Sequence, residues 1–216
     1  EGVTSIVKII AYENAEKHHK YTVSSKPDHS VEVVYRKRRI IPSADGGAIV
    51  GWPKAEEVQG LLDAMCSLEA ILAEVSGLPH VSLQPAAGAH GELTALMMIK
   101  AYHVEKGGTG RTTILIPDSA HGTNPSSSTI AGFKSREVKS GHDGTVDLND
   151  LRSKLGPDVA GMMITNPNTV GIFEQNIAEI SEILHRAGAL LYMDGANMNA
   201  ILGITRPGDF GVDVMH

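Results

Sequence analysis

Four polar stretches carry the groups that could do chemistry: QPAAGAHGE (84–92), DSAHGTNPSSS (118–128), TNPNTVG (165–171) and DGANMN (194–199). Asp194 ends the apolar run ALLYM, so its carboxylate starts at the border of buried territory. Buried there it needs a positive charge or hydrogen-bond donors. It could close an Asx turn, or it could hold a protonated pyridine nitrogen and so make an aromatic ring an electron sink. Ala196 is small enough to lie beneath a flat ring. His121 follows a second apolar run, TTILIP, and is either a hydrogen-bonded structural histidine or a ring that stacks on the face of a planar ligand. Asn168 and Thr169 lie in a good turn sequence and could also reach a ligand oxygen.

In the first stretch, Ala87, Gly88, Ala89 and His90 open a helical pattern. Small residues there let backbone amides approach an anion, and a helix start supplies N–H groups without intrahelical partners. Gly88 and Gly91 extend that opening, although the same residues also serve a tight turn. His90 could touch the anion or help to cap the helix.

These groups need elements to position them. The residues from Glu56 to Gly77 repeat apolar positions at Val58, Leu61, Leu62, Met65, Leu68, Leu72 and Val75, which predicts a helix with one apolar stripe and a glycine stop. Cys66, the only cysteine, is expected to be a small buried side chain within it. HVSLQP (80–85) reads as a short strand and 88–107 as a helix. TTILIP is a strand, 118–128 a loop, and 136–156 a turn leading into a short helix capped by Asp147. VAGMMITNPN (159–168) is strand and turn. NIAEISEILHRAG (176–188) is a helix with Ile177, Ile180, Ile183 and Leu184 on one face, and ALLYMDGAN is strand into turn. This alternation predicts an α/β fold, a mainly parallel sheet with helices on both faces. Ligands of such sheets bind beyond the carboxyl ends of the strands, where all four polar stretches would meet.

Residues 1–51 differ in character. TSIVKIIAYENAEKHHKY (4–21) could open as a helix, HSVEVVYRKRRIIP (29–42) reads as a strand interrupted by the solvated basic run Arg36 to Arg39, and SADGGAIVGWP (43–53) is turn material. The reading divides the chain into a divergent arm, 1–51, and a partial ligand-binding domain, 52–216.

Bulk properties exclude several functions. The 216 residues carry a net charge of −6 and few aromatic side chains, which disfavours nucleic acid and anionic membrane surfaces. No apolar run approaches a transmembrane length. A single cysteine allows no internal disulfide and no thiolate metal cluster. There is no HExxH, no GxGxxG opening a strand–helix unit, no Walker loop and no GxSxG elbow, so a metal site, a nicotinamide site, a nucleotide site and a serine hydrolase are unsupported.

The combination VSLQPAAGAHGE, IPDSAHGTNPSSS, TNPNTVGIFE and YMDGANMNAILGITRPGDFGVDVMH resembles the glycine dehydrogenase (decarboxylating) family, the P-protein of the glycine cleavage system, in its C-terminal half or second subunit. The resemblance runs from about Trp52 to His216. It implies the large domain of a fold-type-I pyridoxal-phosphate-dependent transferase-like enzyme, in which glycine is decarboxylated and its aminomethyl group passed to the lipoyl group of H-protein. By the same resemblance Ala87, Gly88, Ala89 and His90 hold the phosphate, His121 stacks on the ring, Thr169 lies near its edge, Asp194 pairs with its nitrogen and Ala196 packs on the opposite face. His121 and Asp194 are the expected catalytic residues, and no metal is expected. The implied partners are glycine, H-protein and another P-protein subunit or the remainder of the chain, in a dimer or heterotetramer. The location is cytoplasmic in a bacterium or archaeon and the mitochondrial matrix in a eukaryote. In the family a cofactor-binding lysine follows the DVMH segment, so this chain is expected to be a truncated, inactive piece. A noncatalytic subunit and another pyridoxal-phosphate-dependent lyase or transferase are the alternative expectations.

Overall fold

The computed structural model describes residues 59–216 and the backbone of two earlier strands, and the chain divides into two compact units, 1–68 and 69–216. In the first, β1 (Tyr21–Ser25) and β2 (Val31–Tyr35) form an antiparallel hairpin in the register Tyr21 opposite Tyr35. The opening helix expected over 4–21 lies outside the described residues, apart from Tyr21, which begins β1. The basic run 36–39 and the turn material 43–53 also lie outside them.

Helix α1 (Gln59–Ser76) forms where the apolar period places it and stops at Gly77, whose φ of 70° suits glycine. Its predicted stripe is not buried as expected. Leu61 and Leu68 are 62% and 45% exposed, and Cys66 is half-buried. A period of 3.6 identifies a face that needs cover but not what covers it.

The second unit is built on a five-stranded, all-parallel sheet in the order β4-β3-β5-β6-β7. The strands are β3 (Thr113–Pro117), β4 (Lys134–Val138), β5 (Val159–Thr165), β6 (Leu190–Asp194) and β7 (Val214–Met215). Between them run α2 (Gly88–Glu105, preceding β3), α3 (Thr123–Ile130), α4 (Leu148–Lys154) and α5 (Ile177–Arg186). Every residue of β3 and β5 is buried, as continuous apolar strands covered on both faces must be. Leu115, Met162, Ile164, Leu191 and Met193 pack on one side with Leu151 of α4 and Ile177, Ile180 and Leu184 of α5. Ile114, Ile116, Met163 and Tyr192 pack on the other with Ala95, Leu96 and Ile99 of α2. Asp147 caps α4 as the sequence predicts, its carboxylate accepting from the amides of Asn149 and Asp150.

Three local expectations are corrected. HVSLQP alternates half-buried and exposed residues but joins no sheet. Without a neighbouring strand the alternation does not make it one. The stretch KSREV was not expected to be a strand. It forms the edge strand β4, whose charges suit an edge and disguise it as loop. The polar loop 118–128 ends at Gly122, because Thr123–Ile130 is helical. Ser126, Ser128 and Thr129 return their hydroxyls to carbonyls four residues back, and Pro125 stands in the first turn, where its missing N–H costs nothing.

His103, near the end of α2, is buried and donates Nε2–H to the Ala160 carbonyl at 2.7 Å. Burial pushes its pKa below the ordinary 6.5, more than the bond to Ala160 restores it, and the nearby Arg111 charge adds to the fall. The unfolded chain therefore binds a proton below pH 6.5 that the folded chain refuses, so stability is full above that value and declines as pH falls through the depressed folded pKa. Urea unfolding at several pH values should show this decline, and His103→Gln should flatten it. An unchanged pH slope in that variant would contradict the assignment.

Candidate functional site

The carboxyl ends of β3, β5 and β6 and the start of α2 meet around Asp194. That residue closes β6, is 4% exposed, and sits opposite Thr165, the last residue of β5, in the ladder. Its Oδ2 accepts from Asn124 Nδ2 at 3.0 Å, and its Oδ1 accepts from the Ala196 amide at 3.0 Å. The second contact is the Asx turn considered from the sequence. A carboxylate offers about four acceptor positions, so the turn leaves capacity for a ligand. His216 Nε2 lies 3.6 Å from Oδ1, while its Nδ1 is 2.7 Å from the Tyr192 hydroxyl. Burial first, and then the charges of Glu92 and Asp194, push the Tyr192 hydroxyl far above its ordinary pKa and keep it a neutral donor. His216 thus stands between the Tyr192 hydroxyl and the Asp194 carboxylate.

His121 is exposed on the loop after β3, with Nδ1 2.7 Å from Thr123 Oγ1. Thr123 Oγ1 donates to Glu92 Oε1 at 2.8 Å. Glu92 in turn lies close to Asp194 and His216, with one ligand atom from each of the three within 4.8 Å of the others. Asn124 and Glu92 thereby tie the His121 loop to the Asp194 turn. Burial alone would raise the carboxyl of Asp118, at the base of this loop. Hydrogen bonds from the Ser140 hydroxyl and amide outweigh it and hold the carboxyl below the usual carboxylate range.

At the start of α2, Ala87, Gly88, Ala89 and His90 are all exposed, and no side chain caps the helix. His90 is therefore not the cap. Gly88 has open space around it, whereas a Cβ on Gly91 would fall 2.8 Å from His216 Cβ. Gly91 serves the packing of His216 rather than the approach of an anion. Thr169 lies on the loop after β5 and spends its hydroxyl proton on the Ser119 carbonyl at 2.5 Å, joining two loops of the same edge. Ala196 is exposed beside the Asp194 turn, and Asn168 is occupied in shaping its own loop.

Among the described residues, four buried side-chain polar atoms have no hydrogen-bond partner: Glu92 Oε2, Asn124 Oδ1, Thr165 Oγ1 and Asn166 Nδ2. All four belong to residues at or next to the Asp194 edge. Buried polar groups are ordinarily paired, so their concentration here marks a place built for a polar ligand. An uncapped helix start suits an anionic end of that ligand, and a buried carboxylate suits a cationic or N–H end. Glu92, Asp194 and His216 could equally hold a divalent cation by their ligand atoms. Asp194 cannot serve a cation and a ring nitrogen together, so the two occupants exclude each other. Sequence reading missed Glu92, Asn124, Tyr192 and His216 as site residues. The clue at Glu92 was its place close to the helix start that was singled out.

Asn124→Ala should remove the buried donor to Asp194 and destabilise the second unit by about 1–3 kcal/mol in chemical denaturation. A change within the error of the measurement would show that Asp194 is held without it.

Among the described residues no helix is long and apolar enough to cross a membrane. Comparison with known proteins adds the following. The chain is 58% identical over 161 residues to the probable glycine dehydrogenase (decarboxylating) subunit 2 of Alkaliphilus oremlandii, covering 74% of this chain and 33% of that protein. The corresponding protein of Chloroherpeton thalassium is 62% identical over 161 residues, covering 74% and 32%. That of Bacillus velezensis is 47% identical over 209 residues, covering 91% and 43%. The chain thus spans about a third of the length of the first curated relatives it matches. Among solved structures, a glycine decarboxylase (P-protein) of the glycine cleavage system in inhibitor-bound form superposes with a TM-score of 0.62 at 22% identity, over 74% of this chain and 35% of that one. Mouse CSAD superposes with a TM-score of 0.58 at 13% identity, over 68% and 34%. At such identities these likenesses speak for the fold, and they agree with the fold-type-I large domain expected from the sequence. The aminotransferase class-V family model matches residues 92–214, more than half of the sequence and most of the second unit, and the chain belongs to that family.

Proposed function

We propose that this chain forms part of a glycine dehydrogenase (decarboxylating) and holds pyridoxal phosphate at the carboxyl edge of its sheet. The observation that carries this reading is the gathering of an uncapped helix start, an exposed imidazole and a buried carboxylate at one edge, among buried polar atoms that lack partners. Similarity to the glycine dehydrogenase subunits supports the choice of substrate.

In this reading the amides at Ala87, Gly88, Ala89 and His90 take the phosphate, because the start of an 18-residue helix offers them unpaired and at the positive end of its dipole. His121 lies over the ring and Ala196 against its other face. Thr169, with its proton on Ser119, holds the loop at the ring edge in place. Asp194 faces the ring nitrogen and keeps a proton on it, oriented by Asn124 and by its own Asx turn. When bound, the cofactor supplies an electron sink for the carbanion left by loss of carbon dioxide from glycine. The chain's own contribution is a buried, preorganised negative charge on one side and a backbone anion site on the other.

The lipoyl group of H-protein is the proposed acceptor of the aminomethyl group. Another P-protein subunit, in a dimer or heterotetramer, is the proposed companion, and the bacterial relatives favour the cytoplasm. Lys100 donates to the Ala131 carbonyl and lies against Phe133, so it is not assigned to the cofactor. That role falls to a lysine following the DVMH segment in the longer protein.

The test is titration of the full-length protein with pyridoxal phosphate, read by visible absorbance. Saturable binding is expected. Asp194→Ala should weaken it about 10- to 100-fold, the equivalent of a charge-assisted hydrogen bond worth roughly 1.5–3 kcal/mol. Absent binding by the wild type, or unaltered binding in the variant, would count against the assignment.

A further inference from the structure

Glu92 stands near the start of α2, just past its first turn and the four residues assigned to the phosphate, yet it is 4% exposed. A carboxylate buried to this degree needs a reason to be there. Its Oε1 accepts the Thr123 hydroxyl proton at 2.8 Å, and the same hydroxyl oxygen is 2.7 Å from His121 Nδ1. A hydroxyl has one proton. With that proton given to an acceptor-only carboxylate, Thr123 Oγ1 can only accept from His121, which places a hydrogen on Nδ1.

A competing arrangement exists in the same loop. The Thr123 amide points at His121 Nδ1 from 3.2 Å, a contact that requires a lone pair on that nitrogen. The two arrangements demand opposite neutral tautomers. The shorter bonds, 2.7 and 2.8 Å, belong to the one that Glu92 imposes.

We propose that Glu92 is a positioning residue which, through Thr123, fixes His121 in its Nδ1–H tautomer and holds the orientation of the ring, leaving Nε2 as its acceptor. The inference deepens the proposed function, resting on the reading of His121 as the group over the cofactor ring. It gives the start of α2 two roles, with backbone amides for the phosphate at its tip and, just past its first turn, a carboxylate controlling the ring histidine. None of the contacts in the relay involves the cofactor, so the tautomer is set before anything binds.

The experiment uses the full-length protein labelled with 15N-histidine, without cofactor, at a pH well above the ordinary histidine range. Two-bond and three-bond couplings then report which ring nitrogen carries the proton, and His121→Gln assigns the resonance. The expected wild-type result is a pyrrole-type Nδ1 and a pyridine-type Nε2. Glu92→Gln offers an amide that can donate to the threonine oxygen, which frees the hydroxyl proton for Nδ1 and shifts the equilibrium towards Nε2–H. Thr123→Val leaves only the amide contact and should give the same shift, even if the Glu92 variant fails to fold. Thr123→Ser keeps the relay and should retain Nδ1–H. A wild-type Nε2–H tautomer, or folded variants at both positions with the wild-type pattern, would overturn the proposal. A wild type with Nδ1–H that nonetheless binds no pyridoxal phosphate would support the relay and sink the proposed function, so the two failures are separable.

Discussion

The constraint from which the site follows is the burial of the Asp194 carboxylate at the end of a central strand. An ionised carboxylate out of water costs several kcal/mol unless donors and opposite charge surround it. Here the surrounding groups come from separate parts of the chain: Asn124 donates from the start of α3, the Ala196 amide from the turn that Asp194 itself opens, and the His216 ring lies 3.6 Å away after β7. Only a parallel sheet, which returns every strand in the same direction through a helix, delivers three such segments to one edge. The crossover architecture is what makes a charged strand end tolerable, and the charged strand end is what gives the edge its chemistry.

The glycines around this charge have a narrower purpose than their number suggests. A Cβ on Gly195 would fall 2.2 Å from the His216 carbonyl oxygen, and one on Gly91 would fall 2.8 Å from the His216 side chain. Both glycines therefore admit the same residue, from β6 on one side and from α2 on the other. His216 is held in this slot with the Tyr192 hydroxyl on Nδ1 and Asp194 near Nε2. His216 is thus built into the site by two glycines distant from it in sequence.

Much of the scaffold could be read from local pattern, because its causes are local. The strands β3, β5 and β6 are apolar runs bounded by turn residues, α5 shows the helical period at Ile177, Ile180 and Leu184, and Asp147 announces α4 by its side chain alone. His121 and Asp194 were visible for a related reason, each following a recognisable strand. The failures have non-local causes. HVSLQP has the alternation of a strand but no neighbour, and KSREV has a neighbour but the charges of a loop. The serines of α3 satisfy their hydroxyls within a helix that their composition argues against. Glu92 was not singled out from the sequence. Only the tertiary approach of Thr123 to one of its oxygens, and of Asp194 and His216 to its carboxylate, reveals it as part of the site.

The finished site is asymmetric in a way that assigns different work to its two ends. At the start of α2 the chain offers exposed backbone amides, which recognise charge and shape and can be supplied by many small residues. At Asp194 it offers buried side chains whose identities and protons matter individually. One rigid helix spans both, with Glu92 placed where the exposed end passes into the buried one. Glu92 Oε2, Asn124 Oδ1, Thr165 Oγ1 and Asn166 Nδ2 are held in the folded chain without partners, a destabilising arrangement that a stable fold does not accumulate at random. A ligand with an anion at one end and an N–H at the other would meet the start of α2 and Asp194 at once. Its affinity then depends on the stiffness of that helix as much as on any single contact.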